Sequence, residues 1–189
     1  MAWTLVERDS DAWLHFLGKV WHMTWPDPAQ AIFAAGYIEP SSPSRTFSMP
    51  QTQNSYALMR GYVAVFDFRS ADLRLIKDEA MKWAQYFWGS PYRVGLSIEV
   101  EKLPKDLIPW QVAQRNATST MWIPYFEAWS PDPIPLSAID RVTVTAEGMV
   151  FTTELQGSTD WAQLSDDIKR IGELIVSTFE EARERDRMT

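Results

Sequence analysis

From residue 161 onward the chain carries one apolar stripe, Trp161, Leu164, Ile168, Ile171, Ile175, Phe179 and Ala182, running for about six helical turns at 3.6 residues per turn. Steps of three and four residues place all seven on one face of a single helix, and Ser158, Thr159 and Asp160 just ahead of it offer N-caps. An amphipathic helix of this length gains most of its stability from packing its apolar face on another layer. The first demand on the fold is therefore a surface of strands long enough for the last helix to cross.

Strand-forming sequence precedes it. Residues 139–145 and 150–155 flank Glu147-Gly148 in the manner of a hairpin. Residues 62–68, YVAVFDF, and residues 92–100 alternate similarly. Further strands are expected at 110–114 and 118–126, with Pro124 marking an edge or a bulge. Pro40, Pro43 and Pro50 punctuate strand-like segments between 37 and 68, where residues 40–44 and 51–55 are expected to be connecting loops. Helical spacing marks residues 9–21, capped within Asp9, Ser10 and Asp11, with Trp13, Leu14, Leu17, Val20 and Trp21 on one face. A second helix is punctuated by Asp27 as cap, Pro28 at its first position and Gly36 past its end, with Ile32 and Phe33 inward. These two helices are expected to form an N-terminal unit. A third runs over 75–88 through Ile76, Ala80, Trp83, Ala84 and Phe87, and Gly89 with Pro91 stops it. Helices and strands do not alternate as in a parallel sheet. The expected class is α+β: a curved antiparallel sheet with about four helices packed mainly on one face and a long C-terminal helix. No repeat or linker divides residues 1–189, which read as a single domain.

Composition narrows the function. The absence of cysteine excludes disulfides, thiolate metal sites and cysteine nucleophiles. A net charge of −7 opposes binding to phosphate backbones, so no nucleic-acid partner is expected and a basic partner is favoured. The longest apolar runs, 31–35 and 121–125, fall far short of the roughly 20 residues of a membrane helix. The opening MAWTLVERDS has acidic residues and no apolar core behind a basic patch, so no secretory signal is expected and a cytoplasmic location is.

Chemistry is hard to find. His15 and His22 lie seven apart, whereas helical zinc pairs are four apart, and no third ligand is signposted; they read as core or surface histidines. Glu99 and Glu101 are expected as solvated carboxylates on the polar face of a strand. The eight glycines form no phosphate-cradling loop, and Ser97 and Ser119 lack the glycine flanks of a nucleophile elbow. No catalytic residue, metal site or cofactor is therefore predicted, and a non-enzymatic role is expected.

Ten tryptophans in one domain point to recognition, since tryptophan is rarely fully buried and is enriched at interface hot spots. Proline-stiffened loops at 40–55 and 130–135 would lose little entropy on binding. The candidate partner-binding residues are Trp25, Tyr56, Trp110, Trp129 and Asp132, with packing at the core edge as the alternative for each aromatic.

Residues 21–37, WHMTWPDPAQAIFAAGY, and 78–93, DEAMKWAQYFWGSPYR, resemble segments of a family of small actinobacterial immunity factors, the family that includes the immunity factor of the tuberculosis necrotizing toxin. The resemblance implies a cytosolic antitoxin, monomeric or dimeric, that covers the active site of a toxin enzyme, for instance an NAD glycohydrolase. It assigns no individual contact residue. A secretion chaperone would share the acidic, tryptophan-rich composition but should expose an apolar groove. A small-ligand enzyme of unknown chemistry is the remaining alternative.

Overall fold

The computed structural model describes residues 2–6, 10–40, 55–89, 91–116, 121–146, 149–155 and 157–187. Its strands are β1 (Thr4–Val6), β2 (Val20–Thr24), β3 (Tyr37–Ile38), β4 (Val63–Asp67), β5 (Arg93–Ile98), β6 (Ile108–Pro109), β7 (Glu127–Ser130), β8 (Ile134–Pro135), β9 (Ile139–Ala146) and β10 (Met149–Glu154). The α-helices are α1 (Pro26–Ala35), α2 (Tyr56–Arg60), α3 (Leu73–Asp78), α4 (Trp110–Asn116) and α5 (Trp161–Arg187). Eight strands form one sheet in the order β1-β10-β9-β5-β2-β4-β7-β6, and β3 pairs with β8 beside it. Every ladder is antiparallel. The architecture is α+β as expected, although pronounced curvature is not a clear feature of the sheet.

Strand alternation sorts the core into layers. Val20, Val63, Val65, Val94, Leu96, Val142 and Val144 face α1 and α5, which contribute Ile32, Phe33, Leu164, Ile168, Ile171 and Ile175. On the opposite face, Trp21, Phe66 and Phe68 pack under Trp13, Phe16, Ile76 and Phe87. At the β6–β7 edge, Tyr56, Ala57, Ala113 and Trp129 form a smaller cluster.

The long helix begins where its cap predicts: Asp160 Oδ1 accepts from the backbone N–H groups of Ala162 and Gln163 at 3.1 Å each. The punctuation of α1 is equally legible. Prolines occupy its first turn, where their missing N–H costs nothing, and Gly36 takes the left-handed C-cap at φ 85° while donating to Ile32 O. Asp27 lies inside the first turn, and Trp25 is the residue at the cap.

Several expectations give way to tertiary context. Residues 9–21 are not one helix: a 3-10 segment, Ser10–Phe16, is followed by a turn through Gly18 at φ 73°, and Val20 and Trp21 enter β2. No helical N-terminal unit exists, because β2 is claimed by the sheet, between β5 and β4. The helix over 75–88 is broken into α3 and a 3-10 segment, Ala80–Tyr86, with non-helical backbone at Trp83. Residues 110–114 lie in α4 rather than in a strand. Residues 117–120 lie outside the described residues, and the strand expected over 118–126 is replaced by β7, which starts only after Pro124 and Tyr125. Glu99 and Glu101 do not share a strand face, since β5 stops at Ile98 and Val100–Lys102 is a 3-10 turn. Of the expected loops, residues 41–54 lie outside the described residues, and Ser55 caps α2 by accepting from Leu58 N–H at 3.2 Å.

Where α5 passes Tyr92, the residue ahead of β5, Gly172 lies against the Tyr92 ring, and a Cβ there would come within 2.2 Å of it. In an open helix Gly→Ala stabilises by about 1 kcal/mol. Here the sign should reverse: Gly172→Ala should lower the midpoint of urea unfolding, whereas Gly172→Ala combined with Tyr92→Leu should recover it.

Candidate functional site

The ladder between β2 and β4 holds two residue pairs, Val20↔Asp67 and Trp21↔Phe66. Beyond them β2 runs on along β5 as far as Thr24↔Val94, while β4 runs on along β7 as far as Val63↔Ser130. The two strands separate at the centre of the sheet, and residues of both line a cavity of about 560 Å³. His22 Nδ1 lies 3.0 Å from the Ala64 carbonyl. A carbonyl can only accept, so this nitrogen carries the proton, and a side-chain donor stands where the ladder stops.

The cavity has two chemically different ends. On the helix side, Ala31, Ile32 and Ala35 of α1, Ile38 of β3, and Val63 and Val65 of β4 give apolar walls. On the other side of the sheet, Phe66, Tyr86, Arg93 and Glu127 line it. The faces follow from register: Arg93 alternates with Val94, and Glu127 is paired directly with Phe66.

Glu127 is 7% exposed. Its Oε2 accepts from Ile123 N–H at 2.6 Å and its Oε1 from Trp129 Nε1–H at 2.9 Å. Burial outweighs both hydrogen bonds and pushes the carboxyl up to about 7. Burial, with Glu127 nearby, also raises the Tyr86 hydroxyl.

Arg93 is 5% exposed. Its guanidinium carbon sits 3.2 Å from the centre of the Trp25 ring. Nη1 donates to Tyr92 O at 3.4 Å and Nη2 to Gln85 O at 3.2 Å. Gly89 lies so close that a Cβ there would fall 2.0 Å from the guanidinium carbon. No carboxylate among the described residues forms an ion pair with it. Burial alone pulls Arg93 down to about 10, so it stays charged at neutral pH.

The candidate partner-binding residues separate. Trp25 lines the cavity as the platform for Arg93. Tyr56 and Trp129 are core residues, 4% and 0% exposed, with ring centres 4.6 Å apart, so neither presents a surface to a partner; packing at the β6–β7 edge claims them. Trp110 is half-buried and stacks on Trp122 at 5.8 Å. Asp132 is half-buried and accepts from Lys105 Nζ at 3.0 Å, which neutralises its charge. The histidines do not form a pair: His15 packs edge-on to Phe16 and against Trp21, and burial lowers it to about 4, whereas His22 faces the cavity. No group of three or more His, Asp or Glu among the described residues could hold a metal ion. No described helix is long and apolar enough to cross a membrane.

Tyr86, Arg93 and Glu127 were not singled out from the sequence, and His22 was weighed only as half of a metal pair with His15. The available signal was a lone charge set in an apolar run, Glu127 in YFEAW and Arg93 ahead of VGLSI. Comparison with protein-family models, curated proteins and solved structures finds no match to this chain.

Glu127 makes stability depend on pH. Its folded pKa of about 7 exceeds the ordinary 4.5, so the native state holds the proton more tightly. Stability should therefore fall as pH rises from 4.5 through 7, by on the order of 3 kcal/mol in total. His15, held at about 4 against 6.5, gives the opposite slope between those values. Comparing Glu127→Gln with the native chain isolates the carboxyl. In urea unfolding from pH 4.5 to 8, the deficit of the variant should shrink steadily as pH rises.

Proposed function

We propose that the chain is a binding protein that captures one small, largely apolar molecule in the cavity at the division of its sheet. The observation that carries this reading is the cavity itself, about 560 Å³, with largely apolar walls and a few polar side chains among them, Arg93 and Glu127 included. That size lies within the range of small-molecule sites, roughly 300 to 1,000 Å³. A buried carboxyl and a buried guanidinium with displaced pKa values in one cleft add a second mark of a functional site.

Trp25 and Trp122 both line the cavity, so occupancy should alter tryptophan fluorescence. Ala31 projects into it from an exposed position on α1. Ala31→Trp should fill the space with little cost to folding. The expected result is saturable binding of a medium-chain amphiphile at one site per chain, weakened at least tenfold by Ala31→Trp with the melting temperature held within a few degrees. Equal binding by both proteins would place the ligand elsewhere and defeat the reading.

A second reading, an immunity-type inhibitor of a toxin enzyme in the cytoplasm, is favoured by an aromatic ledge near the sheet edge. Trp110 stacks on Trp122, and Tyr125 meets Trp110 at 5.2 Å while remaining 46% exposed. Tyr125 is held at φ 71°, a conformation that costs a bulky residue on the order of 1 kcal/mol or more. With the net charge of −7, such a ledge suits a partner with a basic cleft. Under this reading, size-exclusion chromatography with the toxin encoded next to this gene should give a 1:1 complex. Trp110→Ala and Tyr125→Asn should each weaken it about tenfold, and Tyr125→Asn should stabilise the free protein. Failure of any complex to form with the adjacent toxin would end this reading and leave the cavity reading intact.

A further inference from the structure

We infer that Arg93 recognises the headgroup of a monoanionic amphiphile, a carboxylate whose apolar tail lies between α1 and β4; this rests on the cavity reading above and names its ligand class. The guanidinium is 5% exposed and lines the cavity, yet no described carboxylate pairs with it. Its hydrogen bonds to Tyr92 O and Gln85 O use two of its five N–H donors. Trp25 covers one ring-sized face of the group at 3.2 Å, and Gly89 holds it from another direction. The guanidinium is thereby locked in place, with N–H capacity remaining, at the boundary of an apolar chamber. A buried cation without a counter-ion is unfavourable, and an anion supplied by a ligand removes that deficit.

The rest of the lining sets the charge and shape of the ligand. Among the described residues, Glu39, Arg93 and Glu127 are the acidic and basic side chains of the lining, and Arg93 is the one Lys or Arg among them. A phosphate dianion or a nucleotide would bring more negative charge than one guanidinium can balance. A carboxylate brings one charge and fits the fork geometry of arginine in bidentate fashion. Ala31, Ile32, Ala35, Ile38, Val63 and Val65 then receive the tail. A cavity of about 560 Å³ has room for on the order of 15 to 20 non-hydrogen atoms if each takes about 30 Å³, so a twelve-carbon fatty acid fits within it.

The test is calorimetric and fluorescence titration of the native chain at pH 7.5 with dodecanoate, dodecan-1-ol and dodecyl phosphate, all below their micelle concentrations. Dodecanoate is expected to bind at least tenfold more tightly than the alcohol and more tightly than the phosphate. Arg93→Met should bring dodecanoate down to the affinity of the alcohol while leaving the alcohol unchanged, and Arg93→Lys should keep part of the preference. Equal affinity for acid and alcohol in the native chain overturns the assignment of Arg93 and leaves the cavity reading standing. Binding of none of the three, with the protein folded, overturns both. Tighter binding of the phosphate overturns the monoanion assignment. The native acid-to-alcohol ratio decides the matter even where Arg93→Met fails to fold.

Discussion

Backbone hydrogen bonding decides where this sheet can open. A buried strand must satisfy its N–H and C=O groups on both sides, yet β2 and β4 share two residue pairs at the middle of an eight-stranded sheet. The separation is tolerated because each strand keeps a longer ladder on its other side, from Val20↔Ile98 to Thr24↔Val94 and from Val63↔Ser130 to Phe66↔Glu127. The His22 ring donates to Ala64 O in place of one lost ladder bond. The same register sets the polar end. With Thr24 opposite Val94, the next residue along β2 comes beside the residue before Val94, which brings Trp25 against Arg93.

The two ionisable groups at that end answer burial differently because their chemistry differs. Glu127 escapes the cost of a buried charge by taking up a proton, which is why its pKa reaches about 7 despite two N–H donors. Arginine has no such route at physiological pH. Arg93 is stabilised instead by the Trp25 ring and two carbonyl oxygens, contacts that solvate a cation without neutralising it. The chain has 25 acidic and 18 basic residues, so carboxylates are in excess, yet no described one stands against Arg93. Gly89 is part of the same arrangement, since its missing Cβ leaves room for the guanidinium.

Local signals made the outer parts of the fold legible. The stripe from Trp161 and the cap at Asp160 set α5, proline and Gly36 set α1, and the two alternating runs around Glu147-Gly148 set the β9–β10 hairpin. The centre was not legible, because burial on both faces erases periodicity. VWHMT in β2 has apolar or aromatic residues on both sides, and with Trp13 and Leu17 ahead of it the spacing imitates a helix. Trp110 starts a helix although its neighbours favour strands, because the two-residue β6 just before it already supplies the edge. The site was harder still. Trp25 was identified for its aromatic surface, but its structural task is to carry a cation brought from 68 residues away in sequence, a pairing set by strand register rather than by any local motif.

The cavity must be filled in solution. It opens to solvent beside Ala31 and Ala35, which are exposed, so water enters it when no ligand is bound. Water can occupy the polar end, where Tyr86, Arg93 and Glu127 offer partners. Along Ala31, Ile32, Ala35, Val63 and Val65 it finds few, and ordered water needs two to four. Residues 21–37 and 78–93 fold into β2 with α1 and into the 3-10 segment that leads to Arg93, and both stretches supply lining residues of the cavity. A molecule with one polar end and one apolar end suits such a lining, since it meets the buried guanidinium and the apolar walls at once.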